Sequence, residues 1–178
     1  MSALHADALA ALEGWVAPDA SQERLRTSYV AHLRAHPDGQ HRACYPDHLT
    51  ASALVLSADR SQVLLTLHAK ARQWFQFGGH LEHADTTLAG AALREAVEES
   101  GVAGLSAPVG PVHLDRHAVP FCDPRGGVHH LDVRYLLLAP EDAEHTVSDE
   151  SLDVRWWPVD ALPTDEPSIH TLLAAALF

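Results

Sequence analysis

The stretch from Gly78 to Val102, GGHLEHADTTLAGAALREAVEESGV, leaves this chain few ways to fold. Its second half is built to be a helix. Leu88 to Ser100 is rich in good helix formers, Thr86 or Thr87 offers a side-chain oxygen to the first free backbone N–H groups, and Gly101 suits the left-handed conformation that ends a helix. On that helix Glu95, Glu98 and Glu99 fall at i, i+3 and i+4, so their carboxylates share one face. Like charges so close repel, and the repulsion is relieved either by full solvation or by a cation among them. Two features favour the cation. The Glu98-Glu99 pair lies in the last turn, where the helix dipole disfavours negative charge, and Gly78-Gly79 lies upstream, where a backbone without Cβ atoms allows close approach of a ligand. Hard carboxylate oxygens select Mg²⁺ or Mn²⁺, and such ions usually bridge to substrate phosphates. The residues themselves thus point to a divalent-metal site for a phosphorylated ligand.

Gly79 followed by Arg94-Glu95-Ala96-Val97-Glu98-Glu99-Ser100-Gly101-Val102 resembles the Nudix box, whose family pattern is G-x5-E-x7-R-E-U-x-E-E-x-G-U with U aliphatic. The second half matches at every fixed position when Ala96 counts as U. The first half departs: Asp85 stands where the family has Glu, and eight residues rather than seven separate it from Arg94. One extra residue near Thr86 and Thr87, in the loop before the helix, accounts for the spacing and leaves the helix register intact.

The remainder of the chain sets limits on the fold. With 178 residues, 47% of them hydrophobic, one globular domain with a full core is expected over residues 1–178, with residues 1–40 as a helical N-terminal extension and 50–178 as the core unit. A formal charge of −12 argues against a nucleic-acid partner, because phosphate backbones demand basic surface. Cys44 and Cys122 are too few for a disulfide framework and have no CxxC spacing, so they read as buried or incidental thiols of a reducing compartment. The first residues lack the basic start and unbroken apolar run of a signal peptide, and no apolar run has the length of a membrane span. A soluble cytoplasmic protein without a membrane partner is the expectation.

Leu4, Ala8, Leu12 and Trp15 make one helical stripe that Pro18 ends. Asp19 with Gln22 resembles a capping box opening a second helix, striped by Leu25, Tyr29 and Leu33 and stopping before Pro37. Lacking a basic face, this pair is expected to pack on the core or to mediate a homodimer rather than to bind DNA. From Thr50 the period becomes two. Ala51–Ser57 and Gln62–His68 read as a hairpin, Trp74–Phe77 as an aromatic strand entering Gly78-Gly79, and Val109–Val119 and Val128–Ala139 as two further strands. In the last two, His113, Asp115 and His117 share one face and His130, Asp132 and Arg134 another. Adjoining, these faces form a polar patch, read as a solvated or hydrogen-bonded sheet face in preference to a second transition-metal site. Arg116, Arg125 and Arg134 are candidate phosphate contacts. Leu152–Trp157 is a last strand, and Ile169, Leu172, Leu173 and Ala176 stripe a final helix opened by Pro167.

The resemblance to the Nudix family implies an α/β fold, a Nudix-like α/β/α sandwich with a mixed sheet and the N-terminal helical extension. It implies metal-dependent hydrolysis of a phosphoanhydride in a nucleoside diphosphate linked to another moiety, with Mg²⁺ or Mn²⁺ as cofactor and a small nucleotide as partner. Glu98 and Glu99 would be the principal metal ligands, Glu95 and the Gly79 carbonyl would complete the shell, and Arg94 would orient a neighbouring acid. A later loop would deliver a further acid to the metal centre, for which Glu150 and Asp149 come first and Asp153 third, and the general base would be Glu95 or Glu150. Lys70, Arg72, Trp74 and Arg134 are the candidate substrate contacts. Phe77 is the other ring of the aromatic strand, with core packing as the default for both rings. Two alternatives stand beside the hydrolase: an isomerase like the Nudix-related isopentenyl diphosphate isomerases, which would need Cys44 or Cys122 as an active thiol, and a nucleotide-sensing module with a degenerate box.

Overall fold

The computed structural model describes residues 2–120, 122–148 and 151–177. In chain order the elements are α1 (Ala3–Gly14), α2 (Ala20–Ala35), β1 (Asp47–Leu56), β2 (Gln62–His68), β3 (Trp74–Phe75), β4 (Phe77–His80), α3 (Leu88–Ser100), β5 (Pro111–Ala118), β6 (His129–Leu138), β7 (Ser151–Pro158) and α4 (Pro167–Leu177). The strands form one mixed sheet in the order β3-β2-β1-β6-β5, with β4 on β1 and β7 on β2. Its spine is the parallel ladder between β1 and β6, which runs from Asp47 opposite His129 to Leu56 opposite Leu138.

Strand alternation divides the apolar residues between two layers. Leu49, Ala51, Ala53 and Val55 of β1 and Leu131, Val133, Tyr135 and Leu137 of β6 join one cluster with α1, α2 and α3. Leu54, Leu56, Val63 and Leu65 join the other with Ile169, Leu172, Leu173 and Ala176 of α4. The result is the α/β/α sandwich with a mixed sheet that the box implies. Helix α3 buries Leu88, Ala91, Ala92 and Ala96, and alanines there and at positions 51 and 53 let the helix lie close against β1. That pairing sets Glu95 and Glu99 against the Gly78-Gly79 end of β4 and leaves Glu98 more open. Thr87, rather than Thr86, is the N-cap, accepting from Gly90 N at 3.0 Å, and Gly101 closes the helix at φ 69°. Asp7 of α1 accepts from Leu88 N at 2.8 Å, so the N-terminal helix completes the cap of the box helix.

Three expectations are corrected here. Strand β1 begins at Asp47, before the change of period, because Asp47–Thr50 also pair with β6. The aromatic strand is two strands: β3 pairs with β2 and β4 with β1, the chain crossing at Gln76. The capping box is half present. Asp19 accepts from Ser21 N and Gln22 N, but the Gln22 side chain turns inward, donating to Leu114 O at 3.1 Å and accepting from Leu114 N at 2.8 Å. Tyr29 adds a bond to Asp115 O at 2.7 Å. Helix α2 thereby satisfies the outer backbone groups of β5, the terminal strand, which would otherwise present an open edge. The helix pair packs on the core.

Candidate active site

The glycine pair at the end of β4 decides where the carboxylates go. Gly78 has φ 156°, and a Cβ there would collide with Ser52 of β1. Its N–H donates to Glu99 Oε1 at 3.2 Å. A Cβ on Gly79 would stand 2.8 Å from Glu95 Oε1, so the Glu95 carboxylate occupies the space a side chain would need. Glu98, one turn on from Glu95, is more open, its side chain 57% exposed. Two carboxylates thus lie against the glycine backbone and a third at the rim, and carboxylate oxygens are donors of the type that suits Mg²⁺ or Mn²⁺.

Arg94 organises this face. It donates to both oxygens of Asp85, at 3.1 and 2.9 Å, to Glu95 Oε1 at 3.0 Å, to Glu98 Oε2 at 2.9 Å and to the His80 carbonyl at 3.3 Å. Asp85 therefore makes the two-pronged contact with Arg94 despite its shorter side chain and shifted spacing, and the additional residue is absorbed at Thr86, before the cap. The hydrogen bond to Asp85, supported by the charge of Glu95 and the hydrogen bond to Glu98, outweighs burial and raises the Arg94 pKa further. Burial works to raise the Asp85 pKa, but the bonds from Arg94 and from Glu82 N outweigh it and hold the group below 3.8. A depressed carboxyl adds stability above its unfolded pKa and loses it as pH falls through the folded value. Asp85→Asn is accordingly expected to flatten the decline of unfolding free energy below about pH 4, as urea titrations of both proteins between pH 3 and 6 would show; parallel declines would contradict the pairing.

Gly78 and Gly79 border a cleft of about 640 Å³, lined also by Ser52, Lys70, Phe75, His130 and Arg134. The polar faces of β5 and β6 do adjoin, with Asp115 opposite Asp132 and His117 opposite His130. Asp132 is buried and accepts from Thr50 Oγ1 at 2.9 Å, Ser52 Oγ at 2.7 Å and Arg134 Nε at 3.0 Å. Arg134, 2% exposed, also donates to Asp115 Oδ2 at 3.0 Å and to Ser168 of α4. Burial raises the Asp115 pKa, but bonds and charges from His117 and Arg134 outweigh it and hold the carboxyl low. His113, opposite Arg134, is hydrogen-bonded to Gln22 of α2 and does not line the cleft.

The structure brings together Gly79, Arg94, Glu95, Glu98 and Glu99, and sets Lys70 and Arg134 in the adjoining cleft. Arg134 is there as an internal clamp, with its donors already committed to Asp132, Asp115 and Ser168. Arg72 and Trp74 line a neighbouring depression of about 560 Å³ instead, Trp74 edge-on to Trp157 at 5.3 Å. Phe77 is fully buried in the core, so Phe75 is the ring of this segment that faces the cleft. Arg116 pairs with Asp47, Arg125 with Asp123 and Asp153 with Arg155, which satisfies each locally. Asp149 and Glu150 lie outside the described residues.

Sequence reasoning did not single out Thr50, Ser52 and Gln76, although polar residues at 50 and 52 among Leu49, Ala51 and Ala53 carry the alternation of a strand with one polar face. Nor did it single out His48 and His80, which no spacing connects. Cys44 and Cys122 are both buried, as expected, and Cys122 borders the cleft. Burial, together with charge from neighbouring histidines and Arg42, lowers the pKa of His80 to about 4 and of His130 to about 2. Among the described residues no helix is long and apolar enough to cross a membrane.

The family model described as NUDIX domain matches residues 46–176. A comparison with curated proteins finds no match. Among solved structures, a NUDIX-family hydrolase from Clostridium perfringens is 22% identical and aligns over 72% of this chain and 95% of its own, with a TM-score of 0.57. The NUDIX domain of Shewanella oneidensis NrtR, solved with ADP ribose, is 21% identical over 76% of this chain and 90% of its own, at 0.55. A C. elegans Ap4A hydrolase is 14% identical over 70% and 92%, at 0.53.

Proposed function

The chain belongs to the Nudix family of hydrolases, and from that premise we propose that it cleaves a phosphoanhydride bond in a nucleoside diphosphate linked to another moiety, using Mg²⁺ or Mn²⁺ held by Glu95, Glu98, Glu99 and the Gly79 carbonyl. The observation that carries this reading is the convergence of Glu95 and Glu99 on the Gly78-Gly79 backbone at the edge of a cleft large enough for a nucleotide.

When bound, the metal neutralises phosphate oxygens and lowers the pKa of water at the site. The residues of the chain do the rest. Arg94, engaged by Asp85, Glu95 and Glu98, is a positioning residue that fixes the direction of the carboxylates. Glu95 and Glu150 are the candidates for the general base. Lys70 and Arg42, both lining the cleft, supply positive charge for a diphosphate, and Phe75, edge-on to His68 at 6.4 Å, offers an apolar wall for a base or sugar. Complexes and names of structural relatives, with ADP ribose in one and Ap4A in another, indicate the classes to test first.

A panel of nucleotide sugars, ADP-ribose, dinucleoside polyphosphates and oxidised nucleoside triphosphates, assayed with Mg²⁺, with Mn²⁺ and with chelator, is expected to show metal-dependent release of a nucleoside monophosphate from at least one member. Absence of turnover across the whole panel with either ion would overturn the reading. Isopentenyl diphosphate in the same panel separates the isomerase alternative.

A further inference from the structure

We propose that His48, His80, Cys122 and His130 form a second metal site, a closed tetrahedral centre for a zinc-class ion that fastens the loop between β5 and β6 to the sheet. Three strands deliver the imidazoles. His48 of β1 is the register partner of His130 of β6, and His80, at the end of β4, is paired with Thr50, two residues along β1 from His48. Residues two apart on a strand share a face, so all three rings project to the same side. Their centroids form a near-equilateral triangle of 5.1, 5.0 and 4.9 Å. Cys122 enters from the loop and places Sγ 3.4 Å from His80 Nε2 and 3.9 Å from His48 Nε2. The four ligand atoms all lie within 4.8 Å of one another. A tetrahedral zinc ion with Zn–N of about 2.0–2.1 Å and Zn–S of about 2.3 Å sets its ligands about 3.3–3.6 Å apart, so the contact of Cys122 Sγ with His80 Nε2 already has that spacing and the wider pairs close around the ion.

The protons are placed for it. His48 Nδ1 lies 3.2 Å from the Cys44 carbonyl, which can only accept, so Nδ1 carries the proton and Nε2 presents its lone pair toward Cys122. His130 Nε2 is buried and finds no hydrogen-bond partner among the described residues. Such a group costs free energy to bury, and an ion would satisfy it. Three neutral imidazoles and a thiolate are a soft set that selects zinc-class ions, whereas the all-oxygen set one residue away at Gly79 selects Mg²⁺ or Mn²⁺. The two sites are therefore chemically separable although they share the β4 loop. Four protein ligands leave no open position, which makes the role structural. The loop has a small apolar cluster of its own, Val119, Cys122 and Val128, and the ion would supply the anchoring that this cluster cannot. Binding exchanges the S–H bond of Cys122 for a metal–sulfur bond and releases one proton to solvent.

The proposal does not depend on the hydrolase reading and is tested without activity. Protein purified and dialysed against Mg²⁺ should retain about one zinc per chain, and cobalt exchanged into it should give a thiolate-to-cobalt charge-transfer band. Cys122→Ser should abolish that band and weaken zinc binding at least tenfold, and His130→Ala, on β6, should weaken zinc binding likewise. Glu98→Gln, in the carboxylate set, should keep both ion and band. Wild-type protein that binds cobalt without the band, that retains no zinc, or that loses its zinc with Glu98→Gln while keeping it with Cys122→Ser would overturn the assignment.

Discussion

Glu98→Gln is expected to lower kcat/KM by about 10²–10³-fold, the usual cost of removing one preorganised charge from a transition-state site, while leaving the fold in place. The side chain is 57% exposed and its ion pair with Arg94 at 2.9 Å is a surface one. Such pairs contribute between zero and about 1 kcal/mol, and the neutral amide keeps the shape while relieving repulsion from Glu95 and Glu99. The loss should fall mainly on kcat, and the Mg²⁺ concentration needed for half-maximal rate should rise. Wild-type protein should gain melting temperature on adding Mg²⁺, and the variant should gain less. Steady-state kinetics against Mg²⁺, paired with thermal melts, checks both halves. Near-normal turnover with an unchanged Mg²⁺ requirement would remove Glu98 from the site.

Arg134→Met should act in the opposite manner, through stability. The guanidinium is 2% exposed and lies between Asp132 and Asp115, each at 3.0 Å, with Ser168 of α4 as a further partner. Removing it leaves two carboxylates with no cation between them at the floor of the cleft. Breaking a buried pair from one side costs about 3–5 kcal/mol, which for a domain of this size is about 6–20 °C in Tm. The double variant Asp132→Asn with Arg134→Met should recover part of that, because the uncompensated charge goes with it. Calorimetry of the two single variants and the double decides it. A loss under about 1 kcal/mol for Arg134→Met would mean the network is solvated, and would return Arg134 to the pool of free phosphate contacts.

The contrast between these variants reflects what was legible in the chain. Glu98 and its neighbours follow from helical spacing: once Leu88–Ser100 is a helix, the face shared by residues 95, 98 and 99 is a matter of 3.6 residues per turn. Arg134 is visible in the sequence as a residue on a polar strand face, one of three candidate phosphate contacts. Its place beside Asp132 follows from the strand period, but whether it meets substrate or Asp115 and Ser168 depends on β6 lying beside β5 and under α4, which no local spacing encodes. Trp74 illustrates the same limit. An aromatic residue just before the glycines suggests a base-stacking ring, but Trp74 turns to Trp157 of β7, and Phe75, one residue on, faces the cleft.

Asp85 shows tertiary geometry tolerating a departure in the motif. A shorter acid at a shifted spacing still reaches both donors of Arg94, because the extra residue lies in unpaired backbone before the Thr87 cap and bends without breaking a helix or ladder bond.

From sequence alone came the helix and its stop at Gly101, the carboxylate face, the glycine pair, the strand segments and the separation of apolar from polar faces. These depend on the chain's own periods of 3.6 and 2 and on the conformational freedom of single residues. Only the tertiary structure decided that β1 lies parallel to β6, that α2 seals the β5 edge through Gln22, and that positions 48, 80, 122 and 130 meet at one point. Those contacts join residues tens of positions apart. Their geometry comes from the closing of the whole sheet, a sum of many pairings that no short stretch contains.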